Sequence, residues 1–210
     1  MTMTKVPTAA DPDLRPRACA LITGGVLFAV GNALHPLEHS EAAEQSATWA
    51  AAHLTFGAGA ILLAAGLPVL TTAWRSENGW TAKLAAVARA LLFVGLTVAI
   101  PVGAYHEIYV APRLSHHEQS AIEAAALPVN GPLAAAFLLG FLLLAACALA
   151  APRPLLGRPA AVALIVAVVV MAGAEGLPGP EGWWIIPGTM VVGLVLAVAG
   201  ARALGLPSRR

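Results

Sequence analysis

The chain has 210 residues, of which 59% are hydrophobic and 11% charged, and its formal net charge is +1 at neutral pH. Soluble domains carry roughly 25% charged residues, so a mean hydropathy of +0.78 excludes an ordinary water-soluble fold. The near-zero net charge argues against a nucleic-acid or other polyanionic partner, and two cysteines without CxxC spacing argue against a thiol-redox enzyme.

The apolar residues come in blocks rather than in stripes one helix-face wide, which marks helices surrounded by lipid and by each other. A hydrocarbon core of about 30 Å needs roughly 20 apolar residues per helix. Six blocks approach that length, at about 18–35, 49–73, 84–105, 132–151, 159–176 and 183–201. The two-residue alternation of a membrane barrel is missing. The expected fold is all-α: a polytopic integral membrane protein with six transmembrane helices in three hairpins. Residues 1–17 and 205–210 read as polar tails, and 18–204 as one transmembrane domain.

Taken in chain order, the first block follows Lys5, Arg15 and Arg17 and has the form of a signal anchor, although Gly31 and Ala33 also satisfy the small-residue rule of a cleaved leader. Pro36 lacks an N–H and disfavours a helical conformation in the residue before it, so the first helix should end at His35. A short interfacial helix is expected from Pro36 onward, with Glu38, Glu41 and Glu44 on one solvated face forming an acidic rim.

The second block places Trp49 at the water–lipid boundary and His53 about 6 Å deeper, on a face shared with Phe56, Gly57 and Ala60. A polar side chain at that depth usually faces a bundle interior. The third block carries Pro101, a predicted kink, and ends in Tyr105, His106, Glu107 and Tyr109. His106 and Glu107 diverge by about 100°, so they cannot both face inward.

The loop beyond holds Arg113, whose simplest role is an ion pair with a loop glutamate, and a solvated His116–His117–Glu118 run, in the loop itself or on a helix within it. Glu175, at the end of a short fifth block, is costly at the membrane boundary unless paired. Glycines at 24, 25, 57, 59, 140, 193 and 200 supply small faces for close helix packing.

Cytoplasmic loops of membrane proteins are enriched in Lys and Arg. Threading six helices from a cytoplasmic N-terminus puts Lys5, Arg15, Arg17, Arg75, Lys83, Arg89, Arg153, Arg158, Arg202, Arg209 and Arg210 inside, leaving only Arg113 outside. The implied location is the plasma membrane with both termini cytoplasmic. All six histidines then fall toward the outer face, with Glu38, Glu41, Glu44, Glu107, Glu118, Glu123, Glu175 and Glu181.

Imidazoles and carboxylates suit Zn, Cu or a haem iron, and His53, His106 and His35 are the expected donors, with Glu38, Glu41, Glu107 and Arg113 at the rim. No HExxH or other sharp metal template is present. The alternative is a metal-free enzyme acting on a lipophilic small molecule, in which Glu175 with His53 or His106 forms an acid–base pair. A transporter is the third class, weakened by the lack of charge in the middle of any helix, and an accessory membrane subunit would need none of these residues.

Overall fold

The computed structural model describes residues 13–38, 40–72, 79–151, 155–180 and 182–205, without the side chains of residues 71, 72, 116 and 175. His39, Glu181 and the basic residues at 5, 75, 153, 209 and 210 therefore lie outside the described residues.

The described residues form helices and no strands. They are α1 Leu14–Leu34, the single turn α2 Glu41–Glu44, α3 Ala47–Thr72, α4 Trp80–Val94, α5 Ile100–Tyr109, α6 His116–Ala150, α7 Arg158–Ala172 and α8 Gly182–Gly205. A π-helical turn, Gly95–Ala99, joins α4 to α5 without a break. Five segments are long and apolar enough to cross a membrane: Leu14–Leu34, Ala47–Leu70, Trp80–Arg113, His117–Ala150 and Gly182–Gly205. α7 is apolar but has only 15 residues.

Packing follows chain order. α1 lies against α3, α4 and the π turn against α6, and α7 against α8, as three antiparallel hairpins; α1 also packs on α8, α3 on α5, and α6 on α7. The long helices thus close into a ring. One end of this ring carries the starts of α1, α4 and α7, with Arg15, Arg17, Lys83 and Arg158. The other carries His35, His53, His106 and His117. These are called the arginine end and the histidine end below.

The tightest part of the ring is α1. A methyl group on Gly24 would sit 2.6 Å from the Leu63 nitrogen on α3, and one on Gly59 would sit 2.5 Å from the Phe28 nitrogen. On its other side, Gly25 and Gly193 of α8 meet backbone to backbone, each pressed against the other's carbonyl. No side chain fits at these crossings, which is how small residues allow membrane helices to approach. Gly57 differs: a methyl group there meets only Ala104, at an ordinary 3.5 Å.

Several local expectations need correction. α1 begins at Leu14, so residues 14–17 are its first turn. Pro36 does not open a helix; the interfacial helix is the single turn α2, capped by Ser40, whose hydroxyl accepts from the Ala43 N–H. His116 and His117 lie on a helix, and that helix is continuous with the fourth apolar block: they open α6, a 35-residue helix that starts far upstream of residue 132. Ser115 caps it: its hydroxyl accepts from the Glu118 N–H while Glu118 reaches back to the Ser115 N–H, a reciprocal capping box.

Pro101 is accommodated by the π turn immediately before it. An α-helical proline would clash with the carbonyl four residues earlier; the wider turn relieves that crowding, and the Ile100 N–H bonds back to the Gly95 carbonyl.

Candidate functional site

The histidine end encloses a cavity of about 630 Å³, within the range of small-molecule sites. α1, α3, α5, α6 and α8 all contribute to its wall. Phe28, Phe56, Ile100, Phe137, Ile185 and Ile186 make it apolar; Pro36, Leu37, Glu38, Pro180 and Gly182 form the mouth. The mouth is drawn tight where the Leu37 carbonyl lies against Gly182, leaving no space for a side chain at that position.

His35 and His53 both line the cavity, and each is oriented by the backbone. His35 sits at the extended C-cap of α1 (ψ 133°), where the following proline expels it from the helix. Its Nδ1 donates to the Pro36 carbonyl at 2.7 Å. His53, one turn into α3, donates from Nδ1 to the Trp49 carbonyl at 2.8 Å. A carbonyl only accepts, so each ring carries a proton on Nδ1.

The two rings meet edge to face with centroids 4.9 Å apart. Trp49 closes the group, 4.8 Å from His35 and 4.6 Å from His53. From His53 the ring contacts continue inward through Phe56, Phe28, Phe137 and Phe141.

Trp49 is not an interfacial anchor. It is 1% exposed, and its indole N–H donates to the Glu107 carbonyl at 2.8 Å. This bond ties α3 to the end of α5 behind the imidazole pair. Trp80 and Trp183 are exposed near the ends of their helices, as boundary residues should be.

Of the expected site residues, His35, His53, Glu38 and Glu107 come together around the cavity. His106 does not line it. Its Nδ1 bonds to Glu107 Oε1 at 3.2 Å, while its Nε2 is buried and has no hydrogen-bond partner among the described residues. Glu41 is exposed on α2. Among the described residues Arg113 is not paired with a carboxylate; its guanidinium donates to the Tyr109 carbonyl in its own turn. Glu175 falls in the short 3-10 turn Ala174–Gly176, and its side chain lies outside the described residues.

Glu44 is not part of a solvated acidic face. It is 7% exposed and accepts from Gln119 Nε2 at 3.0 Å. Gln119, 8% exposed, also donates to the Ala111 carbonyl at 2.9 Å, pinning α2 to the start of α6.

Among the described residues no three His, Cys, Asp or Glu side chains are grouped closely enough to hold a metal ion. The Zn or Cu set of His53, His106 and His35 is therefore not assembled.

Two residues of this site had a visible signal in the sequence. Asn32 and Trp49 stand three and four positions from His35 and His53, the spacings of helical neighbours. Phe137 and Thr189 had none, because they reach the cavity from helices distant in sequence.

The architecture, five apolar helices of membrane-spanning length around a cavity at one end, is consistent with a multi-pass integral membrane protein. No protein family, curated protein or solved structure matches the chain.

Proposed function

We propose that this is a plasma-membrane protein with six spans and both termini in the cytoplasm, which binds a lipophilic small molecule in the cavity facing the outer side. The distribution of basic residues supports the orientation, with only Arg113 on the histidine side. α7, though short, completes the sixth span because α8 must return to the arginine end to close against α1.

The single observation that carries the ligand reading is the cavity itself: aromatic and aliphatic walls with the His35–His53 pair set into them. Such a composition, mostly apolar with a few fixed polar groups, is that of a ligand site. The apolar walls hold the body of the molecule, and the imidazoles engage its polar group.

Purified protein should carry a co-extracted lipophile, identified by mass spectrometry of a solvent extract. His53→Ala should lose that molecule while keeping a monodisperse elution profile. Retention of the same molecule by the variant would refute the assignment of His53.

Acid–base turnover of the bound molecule is the second reading. Glu107 and His53 both line the cavity, and a carboxylate–imidazole pair exchanges protons near neutral pH. Glu107 takes the place first expected of Glu175 or His106. Turnover abolished in Glu107→Gln, with the lipophile still bound, would support this chemistry; unchanged turnover would remove it. A metal-based function would instead show stoichiometric Zn or Cu on elemental analysis, or a Soret band for haem.

A further inference from the structure

The cavity is not walled evenly on every side. The packing of α4 on α6 is carried upward by the π turn, where a methyl group on Gly95 would sit 2.8 Å from the Phe137 Cβ. α5 continues the same rod but packs on α3 instead. α6 is tied again at its own start, where Gln119 donates to the Ala111 carbonyl just beyond α5. Between these two ties none of residues 120–136 is buried, a stretch of about 25 Å. Pro128 and Pro132 lie within it, and prolines are what let a helix bow.

The bowed stretch turns one stripe toward the cavity. Gln119, Glu123, Ala126, Asn130, Leu133 and Phe137 follow at steps of four and three residues, so they share a face of α6. Its two ends are buried, while Glu123 and Asn130 between them are exposed. Polar side chains in membrane helices usually face a bundle interior. Across from them, Ile100, Gly103 and Glu107 form one stripe of α5. Ile100 and Glu107 line the cavity, and a methyl group on Gly103 would meet nothing within 4 Å among the described residues. α5 and α6 thus frame a slot, closed at both ends, that leads from the lipid-facing surface into the cavity at Gly103. The mouth on the water side, in contrast, is drawn tight where the Leu37 carbonyl meets Gly182.

Resting on the ligand reading and the orientation above, we infer that the cavity is filled from the side and that its occupant is a lipid of the outer leaflet. Its chain remains in hydrocarbon while it crosses the slot, and its polar part passes Glu123 and Asn130. The chain then lies along Phe137, Phe56 and Phe28. A partner helix suits the slot less, because the slot is tied at both ends and backed by a cavity rather than by a packing surface.

The test uses the full-length protein in phosphatidylcholine vesicles, with a small fraction of the lipid carrying a photoactivatable diazirine in mid-chain. Mass spectrometry after illumination should find label on Phe28 and Phe56 as well as on the outward-facing Val166. Gly103→Trp fills the slot at a position that holds no helices together. It should remove the label from Phe28 and Phe56 and leave that on Val166 unchanged. Asn130→Trp narrows the slot from the α6 side and serves the same purpose if the first variant does not fold.

Undiminished label on Phe28 and Phe56 in these variants would overturn entry through the slot while keeping a lipid in the cavity. Absence of that label from the wild type, with a co-extracted lipophile still present, would overturn the lipid assignment but not the ligand reading. Absence of both would overturn the ligand reading itself. A dimer that Asn130→Trp dissociates would give the slot to a second copy of the chain, and would overturn the inference too.

Discussion

The two ends of the helical ring are built on opposite principles. Toward the arginine end, the interior is Leu21, Leu63, Leu67, Leu70, Leu144 and Leu164, all at most 1% exposed, with alanines between them. The chain connection there is fastened by Arg202, which donates to the Leu156 carbonyl at 2.9 Å beside Gly157 in a left-handed conformation (φ 75°). Toward the histidine end lie all five buried polar side chains among the described residues: Asn32, Glu44, His53, Gln119 and Thr189. Buried polar groups cost free energy unless they are hydrogen-bonded, and apolar residues would hold helices together as well or better. Their concentration at one end coincides with the cavity proposed to bind a ligand.

Substitutions should respect this division. The largest effect is expected from Gly25→Leu, which forces α1 away from α8 where the two backbones touch. It should abolish folding, seen as aggregation on size-exclusion chromatography. Gly103→Leu, at a position with nothing within 4 Å, should be silent. If both variants behave alike, close backbone contact is not what holds the ring.

Next in size is Glu44→Ala, which strips a buried partner from Gln119 and should cost ~1–3 kcal/mol. The loss should be confined to the histidine end, with faster amide exchange in the first turns of α6 and unchanged protection around Leu67. Trp49→Phe retains the ring but removes the bond to the Glu107 carbonyl; ~1 kcal/mol of stability and a looser ligand site should follow. Arg202→Met should be smallest, about 1 kcal/mol or less, with ligand binding unaltered because the cavity is at the other end. Weaker ligand binding in that variant would mean that the two ends are coupled.

Much of the fold was legible in the sequence because it depends on local properties. Long apolar blocks gave the helices, and Pro36 gave the end of α1 at His35. The depth of His53 followed from its distance to the start of its helix; it is 3% exposed. The start of α6 was also written locally, as Ser115 followed three residues later by Glu118, but an apolar-block reading passes over a polar helix start. Other features depend on distant residues. Glu44 is buried because Gln119, 75 positions away, comes to it. Trp49 turns inward because the Glu107 carbonyl, 58 positions away, accepts its N–H. Tertiary partners of this kind leave no periodic trace.

The π turn before Pro101 acts as a phase shifter for the helix beyond it. Each α-helical residue advances the side-chain direction by about 100°, and a π turn takes in one extra residue. Every side chain past Ala99 is therefore set back by one place. In an unbroken helix continuing the buried face of Ala85, Ala88 and Leu92, His106 would point toward the cavity; with the extra residue, Glu107 takes that direction. The identity of the group set into the cavity wall is thus decided about two turns away, at the π turn before Pro101. Deleting Thr97 together with Pro101→Ala should restore an ordinary helix and exchange a carboxylate for an imidazole in the wall, without altering either residue.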